Sequence, residues 1–416
     1  MVRGLDDALP IYPVYALLFS DTGVSDAEIG LLLAAWSLAV VVLEIPTGAW
    51  ADVIARHRVL ALSGVIRAAG FALWVLAPSV PSFAAGFALW ALGGSLVSGT
   101  LESHVHDALA ARGAAGTYRV VAGRSHVAAL VGTALAASTA PFLLALGGYT
   151  LTGLVSSAVC LVFALVALRL PDPAASGWRR RPVAGGTAPG EGEYRGHAGP
   201  LADGRAEDHP WRAWWHMLRA GVREAATHPP VRHAVLLAAV VWAALAFDEF
   251  FPLLARTSGF SNQSVPWVML AVSIVQAGGA WAAAHPRVGG GTAGICLAAC
   301  LLLVVGCLAA AGTWPVWLAW GAICLGYGLG QLAVVLVEAR VQASVRGTAR
   351  ATVTSVASLL SELLAIGLYA SWALAADPWG RPAATALLAA PLLVAVPLAL
   401  LTGRLTRRGL DDAELT

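Results

Sequence analysis

Long apolar runs constrain the fold of this chain more than any other feature. A helix needs about 20 apolar residues to cross the hydrocarbon core of a bilayer, and lipid admits only helices or closed barrels because backbone polar groups must be paired. The runs lack the alternating pattern of barrel strands. Twelve of them lie at residues 3–20, 29–50, 59–78, 83–108, 119–145, 147–170, 233–256, 264–286, 291–312, 314–340, 349–376 and 382–403. The sequence therefore predicts twelve membrane-spanning helices.

The scarcity of charge supports a bilayer environment. Only 12% of the residues are charged and 58% are hydrophobic, whereas a soluble domain carries about 25% charged residues. The net charge of +2 indicates neither a nucleic acid nor an acidic partner. All cysteines fall inside apolar runs, so we expect them to pack as small apolar side chains rather than form disulfides or a metal site. They are Cys160, Cys296, Cys300, Cys307 and Cys324.

One long polar segment divides the runs into two blocks of six. We predict an all-α membrane protein with a six-helix bundle at 1–170, a cytoplasmic linker at 171–232, a second, pseudo-symmetric six-helix bundle at 233–403 and a cytoplasmic tail at 404–416. Inside the linker, a cap at Asp208 and tryptophans at helical spacing predict an amphipathic helix at about 209–227. We expect this helix to lie in the headgroup plane or to dock against the inner ends of the spans.

The arginines give an orientation. All 26 basic residues are arginine, and in the predicted topology all but Arg256 and Arg381 fall on one side of the membrane. Positive residues accumulate on the cytoplasmic side of membrane proteins. Both termini and the linker are therefore expected in the cytoplasm.

The two halves share an acid–proline segment. Residues Asp6–Pro10 read Asp-Asp-Ala-Leu-Pro, and Asp248–Pro252 read Asp-Glu-Phe-Phe-Pro. Both segments fall in the first helix of their half, and Glu102 and Glu338 likewise match in the fourth helix of each half. A duplication of six helices explains these matches, as in many transporters.

Proline has no N–H, so Pro10 should free the carbonyl of Asp6, and Pro252 that of Asp248. Acids at membrane depth are costly and usually face a cavity or a partner. We predict that the carboxylates of both segments bind protons or a cation, namely Asp6, Asp7, Asp248 and Glu249. The alternatives are an interfacial position for the first pair and an ordinary hydrogen bond between helices for the second.

Other polar residues in the spans are further candidates. Those predicted to face the cavity are Tyr12, Tyr15, Glu102, Glu338 and Glu362. The tyrosines could instead belong to an aromatic belt, and Glu338 and Glu362, expected to be buried, could serve packing or pairing. Glu102 and His106 share a helix face and could ligate a metal, but two ligands are insufficient. We predict no metal site.

The first span is short on its N-terminal side. Only five residues precede Asp6, whereas about fourteen apolar residues precede Asp248. Either the first helix starts with its acids near the cytoplasmic surface, or the native chain extends upstream of Met1. The second explanation is our hypothesis.

The loop after the second run carries a recognisable motif. Residues 48–58 read Gly-Ala-Trp-Ala-Asp-Val-Ile-Ala-Arg-His-Arg, which resembles the signature loop of the major facilitator superfamily, Gly-x-x-x-Asp-x-x-Gly-x-Arg/Lys-Arg/Lys. The residues kept are Gly48, Asp52, Arg56 and Arg58. Ala55 replaces the usual glycine, and His57 replaces a basic residue.

Residues 98–109 are similar to the fourth-helix pattern Ser-Gly-x-x-Glu-Ala-x-x-Tyr-Asp-x-Leu of a bacterial drug-exporter-like subgroup. The resemblance implies two bundles around a central cavity and a bacterial inner-membrane location. It also implies that Asp52 faces the start of the eleventh helix and that Arg56 pairs with Asp107. These contacts would close the cytoplasmic gate of the outward-open state. Arg67, inside the third run, could bind substrate or pair with an acid such as Glu44.

Signatures of catalysis are absent from the sequence. It has no Gly-x-x-x-x-Gly-Lys-Ser/Thr loop, no Gly-x-Ser-x-Gly elbow and no His-Glu-x-x-His. We therefore predict no enzyme activity and no cofactor. The expected function is secondary active transport by alternating access, with proton-coupled efflux of a small organic or drug-like molecule by a monomer. The alternatives are uptake or facilitated diffusion of a metabolite, and a non-transporting membrane scaffold or sensor.

Overall fold

The structure is a computed structural model that describes residues 1–98, 100–110, 112–114, 117–171, 219, 222–224, 226–283, 293–309, 314–344 and 350–401. The first half contains the helices α1 (Val2–Asp7), α2 (Tyr15–Asp21), α3 (Asp26–Val53), α4 (Arg56–Leu76), α5 (Val80–Val97), α6 (Thr100–Ala110) and α7 (Tyr118–Leu168). The second half contains α8 (Pro229–Leu245), α9 (Phe251–Thr257), α10 (Val265–Ala283), α11 (Ala293–Ala309), α12 (Val316–Ser344), α13 (Arg350–Trp379) and α14 (Arg381–Leu388). After α14, helix resumes and continues to residue 401.

The helices agree with the predicted spans. Within the described residues, nine helical stretches are long and apolar enough to cross a membrane. One of them, Val120–Leu168, contains two predicted spans, because the backbone leaves helical geometry at Gly147 and Gly148. The remaining two predicted spans are the pair α1 and α2 and the shorter apolar helix within α11. The predicted all-α membrane fold is confirmed.

Both acid–proline segments interrupt a helix. In the first half, α1 ends at Asp7 and a 3-10 turn at Tyr12–Val14 precedes α2. In the second half, α8 ends at Leu245 and a 3-10 turn at Ala246–Phe250 precedes α9. Proline is tolerated in the first turn of a helix, where its missing N–H has no partner to lose. Each first span is therefore a broken helix with its acids at the break.

Among the described residues, the most extensive helix-to-helix contacts between the halves involve three pairs of helices. The helix α3 packs against α13, α7 packs against α10, and α2 packs against α9. Backbones approach closely at Gly30 of α3, where a Cβ atom would lie 2.8 Å from the carbonyl oxygen of Tyr369. Small residues at such contacts are typical of helices that pack in membranes.

Aromatic rings fix the first broken helix within its half. Tyr15 and Phe19 are both about 1% exposed or less, and they contact the rings of Trp74, Phe83 and Phe87 from α4 and α5. In the second half, Phe250 stacks on Trp372 at 3.8 Å between ring centroids. Such packing holds the side chains near each break in defined positions.

Most of the predicted amphipathic helix lies outside the described residues, although residues 222–224, 226 and 227 are helical. The helix α8 begins at Pro229, ahead of the apolar run that starts at 233. His228 is its N-cap residue, and prolines occupy its first turn, where they favour the start of a helix. The bounds of the two bundles and of the linker stay a prediction.

Candidate functional site

A cavity of about 600 Å³ lies between the two halves. Its polar and aromatic lining includes Arg3, Asp6, Asp7, Tyr12, Arg67, Trp90 and Glu102 from the first half and Asp248, Glu249, Phe251, Gln276 and Tyr327 from the second. The cavity reaches the exposed side chains of Arg3 and Glu102. We call this end of the molecule, where α1 begins and α6 ends, the open face.

The opposite end, where α2 ends and α3 begins, is closed by polar contacts between the halves. Arg381 donates from Nε and Nη2 to the two carboxylate oxygens of Asp26, at 2.8 and 2.7 Å. Arg256 forms an ion pair with Asp21. Asn262 donates to Asp21 at 2.9 Å and to the hydroxyl of Tyr149 at 3.0 Å. We call this end the closed face.

Glu249 lies at the end of the cavity that points toward the closed face. Its carboxylate accepts hydrogen bonds from the hydroxyls of Tyr12, at 3.0 Å, and of Tyr15, and only 8% of the residue is exposed. Both tyrosines belong to the other half of the molecule. We call Tyr12, Tyr15 and Glu249 the tyrosine clasp. Asp248 is half-buried beside the hydroxyl of Tyr327.

Asp6 has a different kind of partner. Its carboxylate forms a buried ion pair with Arg67, and Nη2 of Arg67 donates to the backbone carbonyl of Asp6 at 2.7 Å. The carbonyl that Pro10 separates from its backbone donor is thus occupied by a guanidinium. The sequence suggested that Arg67 binds substrate or pairs with an acid such as Glu44, whereas the structure pairs it with Asp6. The sequence feature that indicated a partner was the position of this arginine within an apolar run.

The prediction of a free carbonyl at Asp248 is wrong. The segment tightens into a 3-10 turn, so the N–H of Phe251 donates to that carbonyl. The carbonyls that lack a helical N–H donor belong to the residues just before the acids. Leu245 accepts a hydrogen bond from Tyr327 at 2.6 Å, and Ala246 accepts one from Tyr369 at 3.1 Å.

The duplicated acid–proline segments therefore differ in their electrostatics. The first presents Asp6 to a buried arginine and places Asp7 beside Arg3, with 3.9 Å between Nε and a carboxylate oxygen. The second presents Asp248 and Glu249 to tyrosine hydroxyls. A carboxylate neutralised by a buried arginine has a fixed partner, whereas one held by hydroxyls keeps its full charge and can exchange it for a proton.

Two of the other predicted acids do not line this cavity. Glu338 is exposed, so its prediction as a buried acid is wrong: Leu336 and Val337 point into the core, and the next residue of the helix turns away from it. Glu362 is half-buried. Glu102 is exposed and lines the open end. Of the two tyrosines, Tyr12 lines the cavity and Tyr15 is buried beneath it.

At the signature loop, Arg56 forms an ion pair with Asp107, as the resemblance implies. Both residues belong to the first half, so the pair joins α4 to α6 while the cavity is open. Arg58 is exposed. The surroundings of Gly48 and the side chain of Asp52 lie outside what the structure describes, as do the side chains of the first three residues of α13. The role of these residues as a gate stays a prediction.

Two halves around a cavity that opens on one face are an arrangement typical of membrane transporters. The chain matches the Major Facilitator Superfamily model over residues 1–370. It belongs to the major facilitator superfamily, and it is a multi-pass membrane transporter rather than an enzyme.

Solved structures give the same fold. A bacterial homologue of the human lysosomal transporter Spinster, inward-facing and unoccupied, aligns with a TM-score of 0.72 and 17% identity over 97% of this chain and 94% of that one. A variant of the nucleoside transporter NupG aligns with a TM-score of 0.72 and 12% identity over 96% and 98%. The human organic anion transporter MFSD10 aligns with a TM-score of 0.59 and 17% identity over 96% and 97%. A search of curated protein sequences finds no significant match.

The position of Arg67 depends on a neighbouring glycine. A Cβ atom at Gly93 of α5 would overlap Cγ of Arg67 and lie 2.8 Å from its Cδ atom. We expect Gly93→Ala to lower the free energy of unfolding by about 1–3 kcal/mol, because overpacking displaces the buried guanidinium. Gly94→Ala is the matched control, since a Cβ atom there meets nothing within 4 Å. Thermal unfolding of both variants in detergent measures the difference; equal stabilities would contradict the expectation.

Proposed function

We propose that this chain is a proton-coupled antiporter that exports a small organic molecule by alternating access. The observation that carries the proposal is the clasp, in which a nearly buried glutamate at the end of the cavity is held by hydroxyls from the opposite half. A carboxylate that both lines the cavity and joins the halves can link proton binding to their movement. Ionisable residues in membrane spans commonly serve such proton transfer.

The charge distribution supports an inward-facing state. Arg56, Arg58 and Arg112 lie at the open face, where the predicted cytoplasmic arginines accumulate. Because positive residues accumulate on the cytoplasmic side of membrane proteins, this distribution supports a cytoplasmic open face. We propose a monomer in a bacterial inner membrane with both termini in the cytoplasm, whose cavity accepts substrate from the cytoplasm.

The charges of the cavity suit a proton or a positively charged group. Five acids line it, namely Asp6, Asp7, Glu102, Asp248 and Glu249, against the two arginines Arg3 and Arg67. Arg67 is paired with Asp6 and Arg3 lies near Asp6 and Asp7, so Asp248 and Glu249 are left with hydroxyl and backbone partners. Aromatic walls from Tyr12, Trp90, Phe251 and Tyr327 give the apolar surface that a drug-like molecule needs. The drug-exporter-like pattern at 98–109 agrees with this class of substrate.

A reconstitution experiment tests the proposed function. A thermal-shift screen of small organic molecules on purified protein first selects a compound whose stabilisation is lost in Asp248→Asn. Proteoliposomes loaded with that compound are then given a proton gradient of either sign. We expect movement of the compound against its own gradient, in the direction opposite to the proton flow. Glu249→Gln should abolish this accumulation, while Asp377→Asn, an exposed acid outside the cavity, should not.

The other possible results separate the alternatives. Flux of the compound down its own gradient, independent of pH and unchanged in Glu249→Gln, would indicate facilitated diffusion. Movement in the same direction as the protons would indicate uptake by symport. No flux of a compound that binds would favour a scaffold or sensor.

A further inference from the structure

We propose that Tyr12 and Tyr15 are positioning residues that prevent the empty, deprotonated carrier from opening its closed face. The proposal rests on the proposed antiport. It states that the tyrosine clasp stops the carrier from changing conformation when neither a proton nor a substrate is bound. Neither hydroxyl needs to touch substrate for this role. Each acts through the carboxylate of Glu249, which both donors reach from the opposite half.

The position of the clasp decides what it controls. Tyr12 and Tyr15 lie between the acids of α1 and the end of α2, whose last residue, Asp21, pairs with Arg256 at the closed face. Glu249 lies just before α9, which ends at Thr257 near the same face. The clasp therefore lies between the cavity and the closed face. When that face opens, α2 and α9 must separate, and both hydrogen bonds of the clasp must break.

The protonation state of Glu249 sets the strength of these bonds. An ionised carboxylate is an acceptor only, and both of its oxygens accept from tyrosine here. Hydrogen bonds to an ionised acceptor are roughly twice as strong as neutral ones. A proton on one oxygen removes the charge and makes that oxygen a donor. The tyrosine hydroxyl that donated to this oxygen can no longer do so in the same geometry, and the hydrogen bond to the other oxygen is weakened. Protonation therefore loosens the contact between the halves.

A bound substrate acts on the same bonds. Tyr12 and Glu249 line the cavity, so a molecule that bonds to the carboxylate or to the phenol competes with the clasp. Either ligand, proton or substrate, releases the closed face, and only the empty, deprotonated carrier keeps it shut. Antiport requires this rule, because an empty carrier that changed conformation would let substrate leak down its gradient.

Glu249 has no arginine or lysine partner among the described residues, so its protonation depends on nearby acids and phenols. The titratable groups that face it are Tyr12 and Tyr15 from the first span, Asp248 beside it, Tyr327 from α12 and Tyr369 from α13. The hydroxyls of Tyr327 and Tyr369 donate to the backbone carbonyls of Leu245 and Ala246. Of the groups that the structure describes around Glu249, Tyr12 and Tyr15 are the ones that join the two halves through its carboxylate.

Spin labels across the closed face test the proposal with the proton as the only ligand. Ala77 follows α4 in the first half and Val316 begins α12 in the second; both are exposed on the closed face, and neither belongs to its ion pairs. Cysteines at these two positions, with the native cysteines replaced, report the separation of the halves in lipid nanodiscs. In the wild type we expect a short distance at alkaline pH and a longer component that grows as the pH falls.

The variants separate the clasp from mere packing. Glu249→Gln, which mimics the protonated acid, should show the long component at every pH. Tyr12→Phe/Tyr15→Phe should raise that component at alkaline pH by about tenfold or more and flatten the pH response. Tyr369→Phe is the matched control, since it removes a hydroxyl of the same cluster from a backbone carbonyl and leaves both bonds of the clasp in place, and it should keep the short distance at alkaline pH. If the double variant folds poorly, Tyr12→Phe alone carries the test, because it removes one of the two bonds.

Transport supplies a second readout that a purely structural role would not give. In proteoliposomes the double phenylalanine variant should lose proton-driven accumulation of the selected compound but keep or increase its downhill flux. The clasp is overturned if this variant stays closed at alkaline pH and remains coupled like the wild type. That result leaves antiport standing, whereas absence of proton-driven flux in the wild type would overturn the proposed function itself.

Discussion

Replacing Arg256 and Arg381 together by glutamine will shift the carrier toward the state that opens its closed face. Asp26 and Arg381 form a bidentate, largely buried pair, with side chains 12% and 20% exposed. The pair of Asp21 with Arg256 is more exposed, at 26% and 36%, so it contributes less. Hydrogen bonds to charged groups contribute about 1.5–3 kcal/mol. We expect a combined loss of about 2 kcal/mol, a roughly 30-fold change in the ratio of the two states.

The closed-face distance between labels at Ala77 and Val316 measures this shift. The exchanged pair Asp26→Arg/Arg381→Asp should restore most of the wild-type distance, because the charges again meet across the halves. Arg124→Gln removes an exposed arginine that does not line the cavity, and it should leave the distance unchanged. If the distance between the labels in the double glutamine variant stays as short as in the wild type, these ion pairs do not hold the closed face shut.

The same arginines show what the sequence could and could not predict. Arg256 and Arg381 stood out as exceptions to the placement of arginine on one side, which located them on the outer side. Their partners were not predictable, because Asp26 and Arg381 are 355 residues apart and meet only when the two halves pack. Local patterns specify where a charge lies along a span, but tertiary packing selects its partner.

The broken helices show the same division. A proline four residues after an acid predicted that the carbonyl of each acid would lose its helical N–H donor, since the missing N–H acts locally. The sequence did not reveal that Arg67 would occupy one break and tyrosines the other. Glu338 matched Glu102 by duplication, and both residues are exposed, yet Glu102 lines the cavity and Glu338 does not, since a repeat conserves register more reliably than the neighbours on each helix face.

Asp6→Asn will destabilise the folded protein more than the loss of any surface ion pair. The substitution removes the negative charge that pairs with Arg67, a residue only 5% exposed in a membrane-spanning helix. Breaking a buried pair by removing one partner costs about 3–5 kcal/mol, because the other charge stays buried and unpaired. Arg67→Gln should cost a similar amount, since Asp6 then loses its guanidinium and its carbonyl loses a donor. Thermal unfolding in detergent measures both losses.

The double variant Asp6→Asn/Arg67→Gln decides whether this pair is an anchor or part of the coupling. Two neutral amides can still bond to each other, so we expect most of the lost stability to return. If Asp6 serves only to hold the first broken helix against α4, the stable double variant should keep proton-driven transport while Glu249→Gln loses it. A double variant that folds as well as the wild type but no longer couples would place Asp6 among the proton-binding acids. The duplicated segments would then share one task, whereas the structure gives the first a fixed charge partner and the second the partners of a switch.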